Sequence, residues 1–346
     1  MNTNISPEIP SKKQLKHIQS ITKYFEIPQL HTTLVKCIIG LSDGRIVTSS
    51  DNSLSICKIN IPSKEWNLLV TKDNAHEGYI HYLCELSMNR LSSCSEDTTI
   101  KIWDITQPNA ITLTTTIEGQ GYTVCQIIPL TKERLVSISE DKTIKLRKDF
   151  NYEIITTPFE QQINEPNAVL QLKHQDEVLC VSLIDKTSYN EEGEVVFYNL
   201  TAPYEEKGAI KGVFTEWFQG MVEMDNGLIV VSKRSSISSC VVVIINPMTF
   251  TVVAEIMDDE CISQERAGCL WTNGGNSVVY VCEGFLCEIL LKDTKYEISY
   301  KKKEEQGELI GFGLVFVANG KYMLTTNDND NNGINVYKCE YEYENE

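Results

Sequence analysis

Apolar residues in this chain fall in short runs, and the runs return in a fixed order. Between Ala75 and Ile105 the sequence reads AHEGYIHYLCELSMNRLSSCSEDTTIKIWDI. It holds a histidine, an apolar run, a serine-rich apolar run, an aspartate in a polar turn, then Ile-Lys-Ile-Trp-Asp. In that last segment the Ile102 and Trp103 side chains alternate between opposite faces of an extended strand. Turn residues punctuate the runs elsewhere: Ser42-Asp43-Gly44, Asp225-Asn226-Gly227, Asn273-Gly274-Gly275 and Asn319-Gly320. The last three predict tight hairpins between the first and second strands of a unit. The longest apolar run, Cys240 to Ile245, is short and β-branched, which predicts a buried strand. No run approaches the ~18 apolar residues of a transmembrane helix.

Three copies of the pattern align almost without gaps. Offsets of 45 and then 44 residues superpose His31, His76 and Gln120, then Val35, Ile80 and Val124, then Leu41, Leu86 and Leu130. Arg45, Arg90 and Arg134 open the second strand, and Thr48, Ser93 and Ser137 coincide inside it. Asp51, Asp97 and Asp141 then close it, with one residue fewer before Asp51. Later copies show in their third strands. Ile102-Trp103-Asp104 corresponds to Phe197-Tyr198-Asn199, to Ile244-Ile245-Asn246 and to Val336-Tyr337-Lys338, with Gly284 to Leu290 as the sixth. The mean spacing is about 47 residues, slightly above the ~40–45 of comparable repeats, and the excess lies in loops such as 185–194 and 233–239. A unit of this kind cannot bury its apolar face alone, so its neighbours must stack on it.

The order of histidine, strand-two hydroxyl, aspartate and strand-three tryptophan resembles the WD40-repeat family. His76, Ser93, Asp97 and Trp103 match that family's hydrogen-bonded tetrad position by position. The resemblance implies an all-β fold, a seven-bladed WD40-type β-propeller, as a single domain over 18–342. Its blades would occupy 30–72, 74–116, 117–162, 163–213, 214–260, 261–305 and 306–342. The strand-like run 18–27 would join the three strands of the last blade and close the ring, removing an open edge. Residues 1–17 are expected to form a flexible extension and 343–346 an acidic tail. Only the second blade holds the full tetrad: the first has Cys57 in place of tryptophan, and the third has Gln120 and Arg147. The second blade is therefore expected to be the stiffest.

A Ser–His–Asp set also looks like a hydrolase triad. In the family it resembles, however, this set is buried inside a blade and the indole blocks access, so no catalytic residue is assigned. No cofactor or metal is expected either. Asp328-Asn-Asp-Asn-Asn-Gly333 matches the first half of an EF-hand loop, but Cys339 stands where the bidentate glutamate belongs. An ordinary turn between the second and third strands of the last blade is expected there. Leu146-Arg147-Lys148-Asp149 is a poor match to the FRRG motif of phosphoinositide-binding propellers and is expected to be a solvated strand end. The chain has no phosphate-cradling glycine loop, no HExxH and no nucleophile elbow.

Composition narrows the partner class. Hydrophobic residues make up 42% and charged residues 23% of the 346, which fits a globular chain with a full core. The formal net charge of -17 repels phosphate backbones and anionic lipid across a screening length of about 8 Å. Nucleic acid and stable membrane insertion are therefore not expected, and basic protein or peptide partners are favoured. The twelve cysteines sit mostly in apolar runs without a CxxC pair, as small buried hydrophobes of a reducing compartment. With no apolar signal-peptide core in MNTNISPEIPSKK, the expected location is the cytoplasm, with the nucleus as the alternative.

The resemblance to WD40-repeat proteins implies a non-catalytic scaffold, expected to be monomeric as a free chain and a subunit of a larger complex. Partners would bind the face that carries the strand-four-to-one and strand-two-to-three loops. Candidate contacts there are Glu77 and Tyr79, Glu96 and Thr98, Tyr122 and Thr123, and Glu140 and Lys142, where aromatic and charged anchors supply hot spots. A phosphoinositide-binding propeller is the runner-up, and an enzyme with a site in the central channel comes third.

Overall fold

The computed structural model describes residues 15–343 apart from 88, 119–120, 157–163, 176, 185–191, 235–238, 263–266, 273–276, 283–284, 293–294, 304–313, 318–320 and 327–331. Gln120, most of the 328–333 turn, residues 1–14 and the tail at 344–346 lie outside the described residues. Among those described, every regular element is a β-strand.

Strand β1 (Leu15–Ile27) begins three residues before the run expected from sequence. Three four-stranded antiparallel meanders follow. The first sheet holds β2 (Val35–Gly40), β3 (Arg45–Ser50), β4 (Ser53–Asn60) and β5 (Glu65–Lys72). The second holds β6 (Ile80–Ser87), β7 (Arg90–Ser95), β8 (Ile100–Asp104) and β9 (Thr112–Ile117). The third holds β10 (Val124–Leu130), β11 (Arg134–Ser139), β12 (Ile144–Lys148) and β13 (Ile154–Thr156).

The next sheet has seven strands: β14 (Glu165–Gln171), β15 (Val178–Ile184), β16 (Glu192–Asn199), β17 (Glu206–Glu223), β18 (Ile229–Arg234), β19 (Ser239–Asn246) and β20 (Thr251–Ile262). A further four-stranded sheet holds β21 (Ala267–Thr272), β22 (Ser277–Cys282), β23 (Phe285–Lys292) and β24 (Lys295–Lys303). The last runs β1-β27-β26-β25, with β25 (Leu314–Val317), β26 (Tyr322–Thr326) and β27 (Ile334–Tyr343).

The count of separate blades is corrected here. Seven were expected, whereas the described strands form six hydrogen-bonded sheets. The boundary placed at 213/214 falls inside β17, a continuous strand of 18 residues. Its first half pairs with β16 and its second half with β18, and Thr215 has partners on both sides. The segment contains no proline; Gly212 takes a left-handed φ of 67° and both ladders shift register near the middle, yet the chain keeps strand pairing through this irregularity.

Burial follows strand position. Every residue of β3 and β15 is buried, while β5 is mostly exposed. A strand covered on both faces reads as an unbroken apolar or small-residue run, which explains RIVTSS and VLCVSLI. Each junction between neighbours has its own apolar cluster. Leu54 and Ile56 meet Leu83 and Trp103, and Ile100 and Ile102 meet Val124 and Ile127. Within the seven-stranded sheet, Phe197 and Val195 on one half pack against Val231 and Val243 on the other. Beyond it, Val279 and Leu286 meet Ile18, Ile21 and Tyr337, and Ile334 and Val336 meet Ile38 and Ile46. The last sheet thus packs on the first.

Strand β1 pairs antiparallel with β27, from Leu15 opposite Tyr343 to Ile27 opposite Ile334. Beside a bulge, the Ile18 N–H leaves the ladder and donates to the buried Glu288 carboxylate at 2.8 Å. At the other end, a Cβ on Gly333 would collide with the Ile27 carbonyl oxygen. Gly333 is therefore required by a close backbone approach.

The strand-one-to-two turns are stapled to the following sheet. Glu85 accepts the Ser42 N–H and hydroxyl, both at 2.8 Å, and Gln171 accepts the Thr131 N–H at 2.9 Å. Within the seven-stranded sheet, Glu223 at the end of β17 accepts the Lys173 and His174 N–H groups of the β14–β15 turn. The repeated arginines do the same work: Arg45 reaches Asn89, Arg90 grips Asp149 at 2.6 and 2.7 Å, and Arg134 reaches the Leu200 carbonyl at 2.6 Å. In a meander this face lies opposite the strand-two-to-three and strand-four-to-one loops, which are left to present side chains.

Candidate functional site

Two of the expected loop groups lie on neighbouring sheets, and each is organised by one aspartate. In the second sheet, β7 carries Ser93 and β8 carries Trp103. The loop before β6 carries His76, and the turn after β7 carries Asp97. His76 Nδ1 lies 2.8 Å from Asp97 Oδ2 and its Nε2 lies 2.6 Å from Ser93 Oγ. Trp103 Nε1 donates to the same Ser93 oxygen at 2.8 Å.

These partners fix the protons. The ionised Asp97 can only accept, so a neutral His76 donates from Nδ1 to it; Nε2 then accepts the Ser93 hydroxyl hydrogen, and the Ser93 oxygen accepts the indole N–H. Burial would raise the Asp97 pKa, but hydrogen bonds from Thr99, the Glu77 amide and His76 outweigh it and bring it to about 2. Burial also lowers His76, against the pull of Asp97.

Taken alone, the Ser–His–Asp distances would serve a nucleophile. Ser93, however, is fully buried, its oxygen already accepts the indole N–H, and Trp103 is 1% exposed. A substrate cannot approach it, so the arrangement braces a loop.

Asp97 holds that loop with both oxygens. Oδ2 takes the Glu77 N–H at 3.1 Å, and Oδ1 takes the Thr99 N–H at 2.9 Å and hydroxyl at 2.7 Å. Asp141 repeats this in the third sheet, taking the Gly121 N–H at 2.8 Å and the Thr143 N–H at 3.0 Å. The Glu96 N–H then bonds the Tyr79 carbonyl, and the Glu140 N–H bonds the Thr123 carbonyl, each at 3.0 Å. Glu77, Tyr79, Glu96, Tyr122 and Glu140 are exposed, whereas Thr98, Thr123 and Lys142 are half-buried. Thr98 and Lys142 occupy left-handed turn positions, with φ of 67° and 66°. Their backbones shape the turns. The Lys36 ammonium sits 3.7 Å from the centre of the Tyr79 ring, and Tyr122 is 65% exposed.

The first sheet departs from its alignment. His31 bonds Thr48 at 2.8 Å, as His76 bonds Ser93, but its Nδ1 faces Ser53 at 3.2 Å and not Asp51. Ser50 pairs directly with Ser53, so the turn between them has only two residues, and Asp51 takes the left-handed position that Thr98 takes in the second sheet. The missing residue is the acid itself.

Arg147 is also corrected. It was expected at a solvated strand end, yet it is 3% exposed at the Trp103 position of the third sheet. It donates to the Tyr152 carbonyl at 3.1 Å, while its Nε and Nη2 have no hydrogen-bond partner among the described residues. Burial lowers its pKa.

The buried thiols of Cys57, Cys94 and Cys180 are all shifted up by burial, Cys57 to about 12, so none is a ready nucleophile. Among the described residues, no group of three or more His, Cys, Asp or Glu converges as a metal site would need, and no helix is long and apolar enough to cross a membrane.

The buried histidines give a pH dependence. Burial takes His31 down to about 4, against the pull of Asp73 and Asp51. The folded chain thus keeps His31 neutral where an unfolded chain binds a proton. The stability this supports is complete above pH ~6.5 and is lost as pH falls toward 4, a loss of roughly 3 kcal/mol. Asp97 adds a second loss, as its depressed pKa is passed between pH ~4 and 2. Denaturant midpoints measured across this range should fall accordingly, and His31→Asn should flatten the first step.

The family description WD40 (WD domain, G-beta repeat) matches residues 69–104, the stretch that holds the complete tetrad. A search of curated proteins finds no match to the chain. Among solved structures, the crystal structure of the WD40 beta propeller domain of Doa1 is similar with a TM-score of 0.70 and 12% identity, over 93% of this chain and 97% of that one. At that identity the likeness is one of fold.

Proposed function

We propose that this chain, a WD40-type β-propeller by fold and by its matched repeat, is a non-catalytic platform that binds protein or peptide partners. The observation that carries the reading is the pair of aspartate-braced loop groups. They hold the exposed Tyr79 and Tyr122 among Glu77, Glu96 and Glu140 on adjacent sheets. Rigid aromatic anchors in a polar rim suit a hot spot. The three glutamates suit a basic segment and oppose an anionic lipid headgroup, so phosphoinositide binding is the weaker reading. Catalysis is weaker still, because the triad-like set is sealed.

We read the seven-stranded sheet as two blades sharing β17, which makes a ring of seven blades with β1 as the closing strand. We place the protein in the cytoplasm or nucleus, as a monomer that joins a larger complex.

Affinity capture with the full chain tests the face. Tyr79→Ala together with Tyr122→Ala should reduce recovery of specific partners at least tenfold, the effect of losing about 1.4 kcal/mol or more of binding energy. Unchanged recovery with an unchanged melting temperature would rule this face out.

A further inference from the structure

A pocket of about 470 Å³ opens on the same loop face, where the last sheet meets the first. Its walls include His31, Thr32, Ser53, Thr71, Asp73 and Asn332. Both sides are tied together, since the His31 N–H donates to the Asn332 carbonyl at 3.3 Å and the Asn332 amide donates to the Thr32 carbonyl at 2.9 Å. The required Gly333 lies next to Asn332. The volume falls within the ~300–1,000 Å³ typical of small-ligand sites.

Most polar groups of the wall are already engaged. His31 uses both ring nitrogens on Thr48 and Ser53, and the Thr71 hydroxyl bonds Ser55 at 2.9 Å. Asp73 is different: its carboxylate is exposed and has no hydrogen bond or ion pair among the described residues. Among the described residues, no lysine or arginine lines the pocket. His31 is held neutral at physiological pH and adds no positive charge.

We propose that this seam pocket receives the guanidinium of an arginine from a partner polypeptide, with Asp73 as its counter-ion. A planar fork of donors matches a carboxylate bidentately, which a lysine ammonium cannot do. The hydroxyls and amides of Ser53, Thr71 and Asn332 line the pocket around it. This deepens the reading of the loop face as a protein-binding surface, but it rests on a different site from Tyr79 and Tyr122.

The test uses the full chain with histidine side chains observed by NMR. N-acetyl-arginine methylamide is titrated in and compared with its lysine counterpart and with its neutral citrulline analogue. The arginine probe should shift the His31 ring signals. The lysine probe should bind several-fold more weakly and the citrulline probe about tenfold more weakly, the latter a loss near 1.4 kcal/mol. Asp73→Asn should weaken the arginine probe by a similar factor with no change in melting temperature, and Tyr79→Ala with Tyr122→Ala should leave it unaffected. Equal binding of the citrulline probe, equal binding to Asp73→Asn, or a silent His31 would each overturn the proposal. If partner capture ignores Tyr79 and Tyr122 while the arginine probe still binds, the tyrosine face fails and the pocket stands.

Discussion

Trp103→Ala is expected to lower the unfolding free energy by about 3–5 kcal/mol, the range for truncating a large buried aromatic. The side chain is 1% exposed and packs in the cluster that joins the first and second sheets. Its loss leaves a cavity and also removes the donor that fixes the Ser93 hydroxyl. His76 and Asp97 then lose the orientation that braces the Glu77–Tyr79 loop. Tyr198→Ala, at the matching position of β16, should cost less because the tetrad is absent there. Trp103→Phe keeps most of the volume and should cost only about 1–2 kcal/mol, mainly the lost hydrogen bond. Thermal and denaturant melts of the three variants check the ranking. Equal costs for Trp103→Ala and Tyr198→Ala would show that the tetrad adds no stiffness beyond packing.

Deleting residues 1–27 is expected to have a larger effect. It strips β27 of its neighbour and uncovers the side of the last sheet that Ile18, Ile21 and Ile27 now cover. Each of these isoleucines contributes about 1.5–3 kcal/mol by burial, so the loss rivals the ~5–15 kcal/mol that keeps a typical domain folded. It also opens a 10-residue strand edge to pairing with other chains. Circular dichroism should show a lost or broadened transition, and size-exclusion chromatography should show self-association. A peptide of residues 15–27 added in trans should reverse both changes. A truncated chain that melts like the full one would remove β1 from any role in closing the ring.

What could be read from the sequence depended on whether a residue faced a fixed neighbour. The His76–Ser93–Asp97–Trp103 set was legible because a single sheet, within one sequence repeat, supplies all its geometry. The repeated Arg45, Arg90 and Arg134 were legible as a pattern but not as a purpose, because their partners lie in the next sheet, and Asn89, Asp149 and Leu200 share no motif.

Asp51 was misplaced because a one-residue deletion in a turn leaves the identity of the missing residue open. Only the φ of 44° and the Ser50–Ser53 pairing settle it. Arg147 was misjudged because charge suggests solvent, whereas its strand position is covered on both faces. The break expected before Phe214 failed for a similar reason, since a mean repeat length cannot show where a strand declines to end. Asp73 went unremarked because it is an isolated acid in a polar stretch. It acquires meaning only when Asn332, from the far end of the chain, closes the pocket beside it.

The shared strand β17 bears on how the molecule yields under load. Wherever two sheets meet only through side chains, one can slide or tilt on the other at the cost of apolar contacts. Across β17 the joint is covalent and lies mid-strand, and Thr215 has ladder partners on both sides, Glu192 and Arg234. Twisting one half therefore drags the other with it. The seven strands from β14 to β20 should exchange their amide hydrogens as one cooperative unit, and the molecule should bend at its other seams.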